Sequence, residues 1–271
     1  MPEAEPRSTD RDSVPGQGVV VTGAGRGIGR AIATRLATEG ARVVVNDLDG
    51  DAVRLVAGEI GGYAAPGDAA SQDGVATLVQ TARDHLGSID TWFGNAGTDR
   101  GHGLGSPEED WAFANEVNVM AHVRAARLLV PDWLERGGGR FVVTASAAGL
   151  LTVLGSPTYS VTKHGAVAFA EWLSVTYRHR GIVVQAICPQ GVRTRMLEST
   201  GALQELISRD AALEPADVAE SVWQAMADDR FLILPHPEVQ GYYEMRATQT
   251  DRWLDRMNRL QQRFEEQGVL G

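Results

Sequence analysis

Tyr159 and Lys163 stand four residues apart in Tyr-Ser-Val-Thr-Lys, a spacing that puts both side chains on one face of a helix. A phenol with its usual pKa of about 10 carries protons poorly at neutral pH, and a nearby ammonium lowers that value by stabilising the phenolate. The pair can therefore act as a general acid/base, although the same spacing also describes an ordinary solvated helix pair. Ser146 follows the apolar run Arg140–Ala145, where a hydroxyl can hydrogen-bond a substrate oxygen; alone it reads as a loop serine. Asn118 lies amid Val117, Val119 and Met120. A buried amide there needs partners, and a neighbouring backbone group or water would satisfy it.

A second group of residues points to a ligand. Thr22-Gly23-Ala24-Gly25-Arg26-Gly27-Ile28-Gly29 connects an apolar run to a helical pattern. Glycines let the backbone turn sharply and come close to a pyrophosphate, and the following helix offers unpaired amides. Glycine turns also merely cap helices, so the strand–turn–helix setting carries the reading. Asp47 ends the next apolar run. A carboxylate there can bind the adenosine ribose hydroxyls and repel a 2′-phosphate, which favours NAD over NADP. Read as a turn residue, it would merely precede Asp49 and Asp51. Arg26 argues the other way as a possible phosphate ligand, but Leu48 supplies no second cation.

The elements that must position these groups alternate between strand and helix. Gly18–Thr22, Arg42–Asn46, Ile89–Phe93, Arg140–Ala145, Ile182–Ile187 and Phe231–Leu234 read as strands, with a brief one in 61–65. Between them run helical patterns: Ile28, Ile32 and Leu36; then 51–60; then Val75, Leu78, Val79, Ala82 and Leu86. A long helix is expected over 108–136, bent near Pro131, another over 157–178, and one opened by Pro215. The Gly-rich stretch 99–107 reads as a mobile loop. The fold class is α/β, a Rossmann-type doubly wound parallel sheet of about seven strands with helices on both faces. Residues 1–15 read as a loose tail and 16–271 as one domain, with a variable lid and C-terminal helical segment from about 195. In that segment Trp253, Met257 and Leu260 share helical spacing; they suit a pocket cover, a subunit contact or ordinary core packing.

Taken together, the motifs resemble those of the short-chain dehydrogenase/reductase family, over roughly residues 18 to 194. The glycines read Thr-Gly-x-x-x-Gly-x-Gly through Gly23, Gly27 and Gly29. Ser146 resembles the family's catalytic serine, Tyr159 its acid/base, Lys163 the partner lysine, and Asn118 the asparagine that holds a water of the proton relay. The resemblance implies cofactor contacts from Arg26, Ile28, Asp47, Leu48, Asp68 beside the adenine, Ala69, Asn95-Ala96-Gly97, Tyr159, Lys163, Pro189, Val192 and Thr194. It also implies hydride transfer between NAD and an alcohol/ketone pair, and a homodimer or homotetramer that uses the helices of Asn118 and Tyr159. Leu150, Leu151, Val153 and Leu154 suggest a hydrophobic substrate. One departure is Pro189-Gln190-Gly191, where the family usually has Pro-Gly; it puts the backbone of that turn in question. A non-catalytic NAD sensor and a sugar-nucleotide epimerase or dehydratase share parts of this pattern. The sensor typically lacks the tyrosine or lysine, and the epimerase needs a larger substrate domain.

The bulk composition agrees with this reading. The chain has 271 residues, 43% of them hydrophobic, and a formal net charge of −10, so it can bury a core and repels nucleic acid and anionic lipid. A single cysteine, Cys188, excludes an internal disulfide and fits a cytoplasmic location. Cys188 reads as a packed residue, and His164 as structural. His102 reads as a surface-loop residue. The six scattered histidines have no ligand-like spacing, so no metal is expected.

Overall fold

A computed structural model describes residues 14–199 and 212–270. Seven parallel strands form one sheet in the order β3-β2-β1-β4-β5-β6-β7. They are β1 Gly18–Val21, β2 Arg42–Val45, β3 Tyr63–Ala64, β4 Thr91–Gly94, β5 Gly139–Thr144, β6 Ile182–Ile187 and β7 Leu232–Ile233. Each strand agrees with its sequence expectation to within a few residues. The connecting helices are α1 Gly27–Thr38, α2 Gly50–Ile60, α3 Gln72–Leu86, α4 Glu108–Asn115, α5 Ala121–Arg136, α6 Pro157–Tyr177, α7 Arg195–Ser199 and α8 Pro215–Asp228, followed by α9 Glu238–Thr248 and α10 Thr250–Glu266.

Because successive strand residues point to opposite faces, the two cores divide by sequence parity. Val19 and Val21 pack with Ile32, Leu36, Val53, Val218 and Val222 under α1, α2 and α8. Val20 packs with Val75, Leu78, Leu129, Trp133 and Leu173 under α3, α5 and α6. Trp133 buries its ring and donates its indole N–H to Ile89 O at 2.7 Å, which satisfies the one polar atom that burial would otherwise strand. The chain leaves β3 on one side of β1 and returns as β4 on the other. That reversal opens a crevice at the carboxyl ends of β1 and β4, the place where such sheets bind ligands.

Three details add to these expectations. The long helix departs from α-helical hydrogen bonding at Glu116–Met120, a single π-helical stretch, while α5 runs on through Pro131. Val14, assigned to the tail, is buried against the core beneath α1 and α2; the tail before it lies outside the described residues. The segment 99–107 is anchored by Gly103 N–H to Gly155 O at 2.9 Å and by His102 Nδ1 to Ser156 Oγ at 3.1 Å. Of the lid, residues 200–211 lie outside the described residues.

Candidate active site

The glycine turn between β1 and α1 is held open from three sides. Gly23 and Gly27 adopt positive φ, +61° and +54°, a region side chains disfavour. A Cβ on Gly29 would lie 2.3 Å from Gly23 O, so only glycine lets α1 begin this close to β1. Thr22 Oγ1 accepts from Asn95 N–H at 2.9 Å and Ala96 N–H at 3.0 Å. Asn95 Nδ2 in turn donates to Thr22 O at 3.0 Å and Gly23 O at 3.1 Å. The Asn95-Ala96-Gly97 motif thus staples β4 to the turn. Arg26, the residue before α1, makes no side-chain cap.

At the end of β2, Asp47 Oδ2 accepts from Gly25 N–H at 3.1 Å and Oδ1 from Asp49 N–H at 3.1 Å. The Arg26 guanidinium reaches Asp49 at 3.0 Å, and Leu48 is 78% exposed beside them. Asn46, which the sequence reading did not single out, donates to Ala65 O and Gly67 O at 2.8 and 3.0 Å and so fixes the turn leading to Asp68. Asp68 spends both oxygens on the amides of Ala70 and Ser71, at 2.8 and 3.1 Å. Burial raises its pKa, but the hydrogen bonds from Ser71 and Ala70 outweigh that and hold it below the usual value.

The second group converges from β5, α6 and the π turn. Lys163 is buried and donates from Nζ to Thr144 O, the last residue of β5, at 2.8 Å. Asn118 is fully buried. Its Oδ1 accepts from Thr98 N–H at 2.9 Å, and its Nδ2 donates to Thr98 O at 2.8 Å and Thr162 Oγ1 at 3.0 Å. A Cβ on Gly97 would stand 3.3 Å from both Asn118 Oδ1 and Lys163 Nζ, so Gly97 lets the two side chains meet. Ser146 Oγ accepts from Ala148 N–H at 3.1 Å and faces Pro189 O at 3.4 Å.

The expected electrostatics need correcting. Burial pushes the Tyr159 phenol up to about 12, and a hydrogen bond from Ser146 works only partly against it. Burial has lowered the pKa of Lys163 itself to about 8, so it still carries its charge at neutral pH while donating to Thr144 O, yet burial remains the larger effect on the phenol. Its Nζ lies 5.6 Å from the Tyr159 ring centroid. Within the protein alone, Tyr159 is a proton-bearing phenol at neutral pH.

Both groups line one cleft of about 1940 Å³. Gly23, Arg26, Gly27, Ile28, Asp47, Leu48, Asp68, Ala69, Asn95, Ala96 and Gly97 line one part; Ser146, Tyr159, Lys163, Pro189, Val192 and Thr194 line another. Of the predicted residues, Gly29 and Asn118 stand behind this wall and shape it. Gln190 lines the cleft without strain, because Asp229 is the only described non-glycine residue with positive φ. Its N–H donates to His236 Nδ1 at 3.2 Å, a clamp from after β7 that the sequence did not signal. Leu151, Val153 and Leu154 face the cleft, whereas Leu150 packs in the core. Trp253, Met257 and Leu260 also line it.

Of the residues set aside, His102 is exposed and outside the cleft lining, and His164 Nδ1 contacts Ser160 O at 2.8 Å. Cys188 is buried and its thiol is pushed up to about 12, so it is no nucleophile at neutral pH. Among the described residues no cluster could hold a metal ion, and no helix is long and apolar enough to cross a membrane.

A glycine cradle, free helix amides and a strand-end carboxylate fit a dinucleotide, and a buried Tyr/Lys/Ser set fits proton transfer at a carbinol. Comparison with known proteins agrees. The short chain dehydrogenase family model matches residues 17–205. The 1-deoxy-11-beta-hydroxypentalenate dehydrogenase of Streptomyces exfoliatus is 37% identical over 82% of this chain and 83% of its own. The cyclohexanol dehydrogenase of an Acinetobacter strain is 31% identical over 78% and 87%. A short chain dehydrogenase/reductase from Burkholderia phymatum, solved in complex with NAD, superposes with a TM-score of 0.81 at 28% identity, over 88% of this chain and 95% of that one. The chain belongs to the short-chain dehydrogenase/reductase family and is an oxidoreductase.

Proposed function

We propose that the protein transfers hydride between NAD and an apolar secondary alcohol/ketone pair, with Tyr159 as general acid/base. The observation that carries this is the convergence of Ser146, Tyr159 and Lys163 on the cleft that the glycine turn and Asp47 also line. The nicotinamide supplies hydride chemistry; the protein supplies binding, orientation and proton transfer. Gly23, Gly27, Ile28 and the α1 amides would hold the pyrophosphate, Asp47 the adenosine ribose, and Asp68 and Ala69 the adenine edge. Tyr159 and Lys163 would hold the nicotinamide ribose, and Pro189, Val192 and Thr194 its carboxamide.

Ser146 Oγ and Tyr159 Oη bind the substrate oxygen. For ketone reduction the Tyr159 phenol is already in the donating form. For oxidation it must first lose its proton, and the Ser146 hydroxyl stabilises the resulting phenolate. Asn118 fixes the π turn and Thr98 beside Lys163; the backbone of that wider turn would hold the relay water that returns protons to solvent. Leu151, Val153 and Leu154 form the apolar substrate wall.

NAD rather than NADP is supported by Asp47 on the cleft wall and by the engagement of Arg26 with Asp49. Asp47→Ser is expected to raise KM for NAD about tenfold and to improve use of NADP. Steady-state rates with each cofactor, against apolar secondary alcohols and their ketones, test both statements. A wild type that prefers NADP sinks the Asp47 reading, and cofactor binding without turnover of any alcohol sinks the enzymatic one.

We extend the proposal to a homodimer or homotetramer in the cytoplasm. Phe113, Leu128, Val161, Trp172 and Val175 expose large apolar surface on α4, α5 and α6, the kind of patch that marks subunit contacts. The reading also treats the chain from 16 onward as one domain whose lid begins near 195, where Met196 and Leu197 line the cleft.

A further inference from the structure

The C-terminal helix α10 brings more than an apolar stripe to the cleft. Arg256, Arg259 and Arg263 line it too. Their spacing of three and four residues puts them in one row along the helix, beside the row of Trp253, Met257 and Leu260. Arg252 extends the row by one more turn. Like charges at these spacings disfavour a helix unless something opposes them.

The described part of the protein does little to oppose them. Among the described residues none of the three is in a salt bridge. Asp255, placed four residues before Arg259, forms no ion pair with it, and Arg256 Nη1 contacts Met245 Sδ at 3.1 Å. Glu266 lines the cleft at the outer end of the row. In a chain of net charge −10, this makes a local cationic wall. The acidic lining residues Asp47, Asp49, Asp68, Asp99 and Glu116 belong to other elements.

Resting on the dehydrogenase reading above, we propose that the substrate is an apolar hydroxy acid whose carboxylate is bound by Arg256, Arg259 and Arg263. Guanidinium forks match a carboxylate in two-point contact. Leu151, Val153, Leu154, Met257 and Leu260 take the hydrocarbon body, and the hydroxyl reaches Ser146 and Tyr159. The row from Trp253 to Arg263 spans about 15 Å of helix, so the acid is remote from the carbinol. In the reaction the carbinol carbon would give its hydride to NAD and its hydroxyl proton to the Tyr159 phenolate, leaving a keto acid, NADH and the Tyr159 phenol with the carboxylate unchanged. Because the arginines are solvent-exposed, they act on capture and are screened by salt.

The test uses the full chain, NAD and 11-hydroxydodecanoate, with its methyl ester as the uncharged control. The acid is expected to show a KM about tenfold below that of the ester at low salt, with the gap closing as salt rises. Combining Arg256→Ala, Arg259→Ala and Arg263→Ala is expected to raise KM for the acid about tenfold at nearly constant kcat. KM for the ester and for NAD should not move. Equal KM values for acid and ester in the wild type overturn the proposal, as does an equal rise for both in the variant. A rise in KM for NAD assigns the arginines to the cofactor and overturns it too. Calorimetric binding of 11-oxododecanoate to the NADH complex provides a readout without turnover. Weaker binding to the variant supports the arginine site even if the dehydrogenase reading fails; equal binding, or no binding to the wild type, overturns it.

Discussion

Tyr159→Phe is expected to lower kcat for alcohol oxidation by about three orders of magnitude while leaving cofactor binding within a few-fold. The substitution keeps the ring on the cleft wall and removes only the hydroxyl that carries the proton. Tyr159 is half-buried and lines the cleft, so the melting temperature should change little. Ser146→Ala should act in the same direction but less severely: it removes the hydrogen bond that lowers the phenol's pKa yet leaves the phenol in place. Rates at saturating alcohol and NAD, with NADH binding followed separately, check both. A Tyr159→Phe enzyme with near-normal turnover would remove Tyr159 from the chemistry and leave the cleft with no proton carrier of suitable position. Loss of turnover together with loss of NADH binding would instead make Tyr159 a cofactor ligand first.

The sequence reveals most where the physics is local. Strand parity, the glycine turn and Tyr159/Lys163 are encoded by neighbours in the chain, and their positions follow from periodicity and spacing. The π stretch at Glu116–Met120 is different. Nothing in Glu-Val-Asn-Val-Met departs from a helical pattern; the wider turn accompanies Asn118 reaching Thr98 and Thr162, contacts between residues distant in sequence. The His236 clamp on Gln190 joins residues 46 positions apart and was equally hidden. For the pKa of Tyr159, spacing shows which groups are near, whereas burial decides which effect wins. Trp253, Met257 and Leu260 are seen to line the cleft only once α10 is placed, and Trp253 and Met257 pack against the core at the same time.

His122 supplies the second large effect, on stability. It lies one turn after Asn118 on α5, 2% exposed, with no hydrogen-bond partner for Nε2. It is wedged against β4 so closely that a Cβ on Gly94 would lie 2.5 Å from its Nδ1. Burial, and then the charge of Lys163, lower its pKa from 6.5 to about 3. Between those values the unfolded chain holds a proton that the folded protein refuses, so the unfolded state gains as pH falls through 6.5 toward 3. The loss is on the order of 4 kcal/mol by the lower end, and above about pH 6.5 His122 contributes no pH dependence. Native carboxylates also weaken the fold in acid, so the measurement is a difference. Denaturant unfolding of wild type and His122→Met is compared from pH 7.5 to 4.5. Methionine fills similar space, favours helix and takes up no proton. The variant is expected to lose stability more gradually, with the two curves separating below pH 6.5. Parallel curves over that range would show that the His122 ring is protonated as readily in the fold as outside it. That would place a counter-charge or water beside Nε2, enough to offset the positive charge that a protonated ring brings near Lys163.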